Sequence, residues 1–416
     1  MPPPAFQHRQ FVLLWGGLFI SIAGSQMQST ALLWHLRQLS DWPIYVSGIG
    51  LARFIPIVLL SMIGGVVADR FNRRRILFIT QSIMALEALT LSLLTLTGII
   101  QIWHIYLLTG IQAAAIAFDL PARQSLVPNL VPRADLPSAF SLQSIAYNTG
   151  AILGPMISGL VIASAGLNMV YLFNAFSFGA VLLALVLMGP VSQAVTTPQS
   201  GPGRASFIRW SDIRDGIRFT ARQPIILGSM VLDFLATFFS SANTLLPFVA
   251  VDILHVNEVG YGWLASAQAI GAVGVGLVLS KRTRLRRQGQ LLLAAVVFFG
   301  LATVLFGLAR SFSLVMMALM FIGAADSIST IIRNTIRQLQ TPDHLRGRMI
   351  SINQIFFQGG PQLGEMEAGA VAQAFGPAAA IISGGVGCIL AAGLVAACWP
   401  QLRRYDGENP EPVPAG

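Results

Sequence analysis

The sequence predicts an all-α membrane protein, with twelve transmembrane helices in two parallel-repeat six-helix bundles. Three observations lead there. Of 416 residues, 54% are hydrophobic and only 10% charged. One soluble core of this size cannot hide that much apolar surface, so most of it faces lipid or other membrane helices. Twelve apolar segments can be threaded, each near the ~20 residues that span a bilayer. A single offset also relates the two halves of the chain from Arg123 to Gly166.

In chain order, Met1 to Gln10 carries His8 and Arg9 before an apolar run too long for a signal-peptide core, so it reads as a retained first span. The first-half spans are 11–34, 43–68, 75–99, 102–123, 135–165 and 167–190. The second-half spans are 224–250, 258–280, 290–309, 312–336, 345–374 and 376–399. The connections at Gly166 and Gly376 are little more than one glycine. An even number of spans puts both termini on one side. Of the 26 Lys and Arg, all but Arg37, Arg53 and Arg310 then fall on that side, which the positive-inside rule makes cytoplasmic. Arg333 to Arg348 count here as one of the cytoplasmic loops. The net charge of +9 is thus a topology signal and not a nucleic-acid footprint.

The domain reading is a bundle over 1–190, a cytoplasmic linker over 191–223, a second bundle over 224–402 and a polar tail over 403–416. Within the linker, 191–206 is rich in Pro, Gly, Ser and Thr. From 207 to 222, apolar residues alternate with Arg209, Arg214, Arg218 and Arg222, as in an amphipathic helix on an anionic leaflet or a plain solvated linker helix. Cys388 and Cys398 lie ten residues apart on one span, roughly 15 Å along it, and cannot bridge.

Shifting the chain by 210 residues aligns Arg123 with Arg333, Pro132 with Pro342 and Ser141 with Ser351. It also aligns Gly150, Gly154, Gly159 and Gly166 with Gly360, Gly364, Gly369 and Gly376. A shift of 211 sets Gly65, Arg70 and Arg73 against Gly276, Lys281 and Arg284. Parallel six-helix halves follow.

Two stretches carry a family resemblance. Between the second and third spans, Gly64-Gly65-Val66-Val67-Ala68-Asp69-Arg70-Phe71-Asn72-Arg73-Arg74-Arg75 resembles the corresponding loop of the major facilitator superfamily, with Asn72 where that family usually has Gly. Asn also tolerates left-handed backbone. Asp69 stands where it can cap or pair with the start of the next helix. In the fifth span, Gly150, Gly154, Pro155 and Gly159 form G-x-x-x-G-P-x-x-x-G, which resembles the motif of that superfamily's drug antiporters, with Ser158 in place of a usual glycine. Small residues at this spacing let backbones approach and Pro155 loosens the helix, so ordinary packing is the alternative. The text around Pro121 to Val131, Leu136 to Asn148 and Thr341 to Arg348 is similar to the efflux branch, to which siderophore exporters belong.

The resemblance implies a secondary transporter working by alternating access. It would export a small amphipathic, drug- or siderophore-like molecule by proton antiport. The partners are then a small-molecule substrate, protons and the lipid bilayer, with no nucleic acid and no cofactor, in a monomeric protein of the inner membrane. Asp69, Arg70 and Arg73 are the expected gate. A lipid or lysolipid flippase of the same fold, or a non-transporting receptor, are the alternatives. Nothing points to an enzyme: there is no Walker loop, no metal-spaced His or Cys cluster and no nucleophile elbow. Without a Walker loop, an ion gradient is the remaining energy source.

Ionisable residues within the spans are costly and therefore informative. Asp119 is four residues before Arg123, the spacing of a structural pair. Glu87 lies on the third span, peripheral in the resembled fold, and reads as a neutral or packed acid. Asp233 and Asp326 lie on spans that line the cavity of the resembled fold, so they are either proton-exchanging acids or acids bound within the bundle. Arg53 and Glu365 each lie about 15 Å from the outer end of their spans by helical rise. They either pair across the halves or are separately hydrated and neutralised, and Glu365 is a further coupling candidate. Ser25 and Gln26, with Ser21 and Gln28, on the first span and Asn243 on the seventh are candidate substrate contacts or interhelical hydrogen-bonding residues.

Overall fold

The computed structural model describes residues 3–191, 220, 223–280, 287–341 and 346–407. Among these, every regular element is helical. The first half supplies α1 (Arg9–Leu39), α2 (Ile49–Arg70), α3 (Arg73–Leu96), α4 (Ile102–Leu126), α5 (Leu136–Ala165) and α6 (Leu167–Leu187). The second supplies α7 (Pro224–Ser240), α8 (Glu258–Leu279), α9 (Gln288–Leu308), α10 (Phe312–Gln340), α11 (Arg346–Phe375) and α12 (Pro377–Cys398). Eleven stretches of the described residues are long and apolar enough to cross a membrane. The remaining helix, α11, has the length to do so at 30 residues, and carries Asn353, Gln362, Glu365 and Glu367. The amphipathic helix expected over 207–222 lies outside the described residues apart from Thr220, as do 192–206 and the tail beyond 407.

The described helices group into two compact units. One takes in Met1–Ala205 with Ala250–Ser266, the other Ser206–Val249 with Ala267–Gly416. In the first, α1 packs on α5 and α6, α3 on α4 and α6, and α2 on α4. In the second, α7 packs on α11 and α12, and α9 on α10 and α12. The pairings repeat with the offset of the sequence, and the repeated glycines make them possible. A Cβ on Gly154 would stand 2.5 Å from Gln26 Cβ on α1, and one on Gly364 would stand 2.1 Å from the Phe238 carbonyl oxygen on α7. Gly166 and Gly376 also play one part twice. With φ of 88° and 87° they end α5 and α11 in a region that favours glycine and start the next helix at once.

Three local expectations are corrected. The seventh span is met by Pro224–Ile253, but its helix is interrupted: α7 stops at Ser240, and short helical segments over Asn243–Leu245, Leu246–Phe248 and Val249–Ile253 follow. Ser241 leaves the helix at φ −80°, ψ 74°, and its hydroxyl donates to the Thr237 carbonyl at 2.5 Å. The tenth span runs to Gln340, so Arg333 and Arg337 belong to a helix rather than a loop. At the start of α3 the cap is Asn72, whose Oδ1 accepts from the Arg75 amide at 3.2 Å. Its φ of −63° makes no use of left-handed tolerance.

The close approach at Gly364 predicts that Gly364→Ala lowers the thermal midpoint of the purified protein, through an overpacking cost of about 1–3 kcal/mol. Gly276→Ala on α8, where nothing lies within 4 Å, is expected to be neutral or slightly stabilising. Equal midpoints for the two variants would contradict this packing.

Candidate functional site

Helix α10 carries Asp326, Arg333 and Arg337 at spacings of seven and four residues, which place all three on one face. That face meets Asp233 on α7. Arg333 Nη1 lies 2.9 Å from Asp233 Oδ1, and Arg333 Nη2 lies 3.7 Å from Asp326 Oδ1. Arg337 Nη1 is 3.9 Å from Asp233 Oδ2 and also donates to Asn353 of α11, while its Nη2 reaches Asn334 at 2.9 Å. The side chains of Arg333 and Asp233 are 2% and 1% exposed, whereas that of Asp326 is 50% exposed. The two candidate coupling acids are therefore joined through one shared cation. Asp233 is held firmly inside, and Asp326 stands at the open edge. Phe234 and Phe238, one turn apart on α7 and half-buried, pack beside this cluster, with Phe356 of α11 edge-on to Phe234 at 6.2 Å.

In the first unit, polar groups also meet polar groups. Asp119 accepts from Thr80 at 3.0 Å and Gln81 at 2.8 Å on α3, and pairs with Arg123 at 3.2 Å, the i,i+4 contact its spacing suggests. Glu87 is buried on α3 against Gln28 of α1. Of the candidate substrate contacts, Ser25 and Gln26 are half-buried on α1 while Ser21 and Gln28 are buried. In the second unit, Asn243 is exposed just past the break in α7 and accepts from Gln268 of α8 at 2.9 Å. Arg53 is half-buried on α2 in the first unit, and Glu365 is buried on α11 in the second.

The helix-5 motif makes close contacts along its whole length. A Cβ on Gly150 would lie 2.7 Å from Ile22 Cγ2 on α1, and Ser158 Oγ donates to the Met27 carbonyl at 3.0 Å. Further along, a Cβ on Gly159 would lie 2.4 Å from the Glu258 carbonyl oxygen, and one on Gly262 would lie 2.5 Å from that of Pro155. The same end of the unit is tied by Arg37, between Asp41 at 2.5 Å and Asp252 at 2.7 Å, and by Tyr261, whose hydroxyl donates to the Thr30 carbonyl at 3.2 Å. An apolar cavity of about 350 Å³ lies among α1, α5 and α6, lined by Phe19, Met27, Leu153, Phe173 and Ser177.

At the opposite end the arginine loop is two residues long, Phe71 and Asn72. Arg73 donates to the carbonyls of Ser125 at 2.8 Å and Ala68 at 3.4 Å, and Arg74 to that of Leu185 at 2.7 Å. These guanidinium groups thus cover the carbonyl ends of α2, α4 and α6, where a cation is favoured. Arg70 is exposed, and the side chain of Asp69 lies outside the described residues. The N-cap of α3 is Asn72.

Sequence reasoning missed Arg333 and Arg337 as partners of the acids, although their seven- and four-residue spacing from Asp326 signals a shared face. It also missed Asn174, for which an amide in the middle of an apolar span was the available signal.

The family described as transmembrane secretion effector matches residues 2–414. The enterobactin exporter EntS of Citrobacter koseri is 26% identical over 413 residues, covering 98% of this chain and 96% of its own. That of Shigella boydii is 26% identical over 408 residues, covering 97% and 95%. A bacterial homolog of the human lysosomal transporter Spinster, inward-facing and unoccupied, superposes with a TM-score of 0.72 at 14% identity, over 98% of this chain and 99% of that one. An inward-facing bacterial homologue of the iron transporter ferroportin gives 0.68 at 14% identity, over 95% and 99%. Both structures share the twelve-helix fold with this protein. The chain belongs to the transmembrane secretion effector family of the major facilitator superfamily, and is a multi-pass membrane transporter and not an enzyme.

Proposed function

We propose that this transporter exports a small amphipathic molecule, drug- or siderophore-like, by proton antiport through alternating access. The observation that carries the reading is the end-to-end similarity to proteins named enterobactin exporters, which spans both halves and nearly the full length of each chain. In this reading the protein is a monomer of the inner membrane with both termini cytoplasmic. Its bundles are 1–190 and 224–402, joined by a cytoplasmic linker over 191–223. Ser25, Gln26 and Asn243 contact substrate, and the Gly150-Gly154-Pro155-Gly159 segment supports the moving helix.

Coupling is assigned to Asp233 and Asp326, with Glu365 as the further candidate. The shared Arg333 supports this: a proton on Asp326 would leave Arg333 wholly to Asp233, and its release would divide the cation between two acids. Asp326 is the more exposed of the two and is the expected point of exchange. Export of labelled enterobactin-type siderophores is measured in inverted membrane vesicles with an acid interior. Uptake that collapses with a protonophore supports the reading. Movement of fluorescent lysolipid without any siderophore transport would favour the flippase alternative.

Asp326→Asn is expected to bind substrate normally but lose gradient-driven export. Asp233→Asn should also lower stability, by about 3–5 kcal/mol, since it strips a buried guanidinium of its partner. Gradient-driven transport at wild-type level in both variants would remove the coupling assignment.

The gate is assigned to Asp69, Arg70 and Arg73. Asp69→Asn is expected to speed labelling of a cysteine introduced on the cytoplasmic side, and unchanged labelling with unchanged transport would count against it. The Arg53–Glu365 pair, which rests on matched depth in the sequence, is checked by a double-mutant cycle to Gln. Strictly additive effects on transport would dissolve the pair.

A further inference from the structure

The first unit holds a buried acid that the coupling cluster does not use. Glu87 on α3 is 3% exposed. Gln28 Nε2 from α1 donates to both of its carboxylate oxygens at 3.1 Å, and Gln112 Nε2 from α4 stands 3.5 Å from Oε2. Gln28 is itself held, because its Oε1 accepts from Asn174 Nδ2 of α6 at 2.7 Å. Ser177 Oγ, at the edge of the apolar cavity, lies 2.8 Å from Asn174 Oδ1. The backbone of α1 leaves space for this at Gly24, where a Cβ would come within 2.5 Å of Ser177 Oγ and 2.6 Å of Asn174 Oδ1. Four helices converge on one carboxyl group.

We propose that Glu87 is a second proton-binding site, in the first unit and separate from the Asp233–Asp326 cluster, with Gln28 as its positioning partner. Its use during export rests on the antiport reading above. The argument is one of partner chemistry. Asp119 is paired with Arg123, and Asp233 and Asp326 with Arg333. A proton on Asp119 or Asp233 takes from a guanidinium its nearest counter-charge, and one on Asp326 shifts Arg333 onto Asp233. The groups bonded to Glu87 are primary amides, which carry no charge in either state. An amide offers N–H to a carboxylate and, after a half-turn of its end group, C=O to the O–H of a protonated acid. None of the groups bonded to Glu87 is therefore left with an unanswered charge when it gains or loses a proton.

Loading takes one proton from water onto a carboxylate oxygen, and unloading returns it, with no other bond made or broken. Gln112, half-buried on α4, stands between Glu87 and the edge of the bundle. The charged and titratable groups facing the site are few. Arg53 acts on it electrostatically from α2. Tyr171 acts from α6, with its hydroxyl 3.0 Å from His35 Nδ1 of α1. From α4, Asp119 meets α3 about two turns away, at Thr80 and Gln81. On α3 itself no other acid or base stands between Arg75 and Leu96.

The test is infrared difference spectroscopy on the full-length protein in lipid vesicles, without substrate, as pH is raised through neutrality. The expected result is a protonated-carboxyl C=O band that disappears with rising pH, is absent from Glu87→Gln and persists in Asp326→Asn. In Gln28→Leu, which keeps the acid and removes its donor, the midpoint should move to higher pH by about one unit, a tenfold change in proton affinity. A role in packing alone would not move that midpoint. The same band in Glu87→Gln, or an unmoved midpoint in Gln28→Leu, would overturn the proposal. If Glu87→Gln does not fold, the Gln28→Leu midpoint decides. A Glu87 band that titrates while vesicle export ignores the proton gradient leaves this site standing and removes the antiport reading.

Discussion

Charge inside hydrocarbon has to be answered by other groups of the chain, because no water is at hand to do it. Arg333 shows how far that requirement organises the fold. A buried guanidinium that loses its partner costs about 3–5 kcal/mol, a large part of the net stability of an ordinary domain. Its position on α10 therefore dictates an acid on α7, and Arg337, one turn on, recruits Asn353 of α11 to the same point. The first unit satisfies the same requirement differently. There the buried Glu87 is bonded by Gln28, which is held in turn by Asn174, so amides rather than a guanidinium are bonded to it. The two halves of the repeat thus hold a buried acid by different chemistry.

Close backbone approach is the second constraint. Where α5 crosses α1 and α11 crosses α7, the helix axes come near enough that a methyl group would collide with the facing main chain or its Cβ atoms. Such crossings gain dispersion along their length in a medium that offers no hydrophobic drive between helices. Bulky residues such as Leu160 on α5 and Phe375 on α11 stand exposed away from these crossings.

Much of this was legible in the sequence, and what was not has physical reasons. The spans could be read because twenty apolar residues in a row have few other uses, and the halves because glycine is demanded at the same crossings twice. Arg333 was the informative exception. The positive-inside rule counts a cation near a helix end as a loop residue, but this one is turned inward onto Asp233. A rule about averages cannot see a side chain's direction. The break in α7 escaped for a related reason: hydropathy stays high through Leu245 and Phe248, so apolarity alone cannot tell a continuous helix from an interrupted one. The amide partners of Glu87 lie far from it in sequence, and only the packing of α1, α4 and α6 around α3 brings them together.

The one-residue connections at Gly166 and Gly376 also bear on how this protein can be handled. Each pins two antiparallel helices with a single left-handed residue, so neither has slack to share with inserted chain. An epitope, protease site or fluorophore placed there must unwind a helix end to be accommodated. The connection between α3 and α4 is different. Thr97 to Gln101 turn through Gly98 at a φ of 72° with open space around it, and Ile99 is exposed. That turn, rather than the tight glycine corners, is where foreign sequence can be displayed without disturbing the bundle.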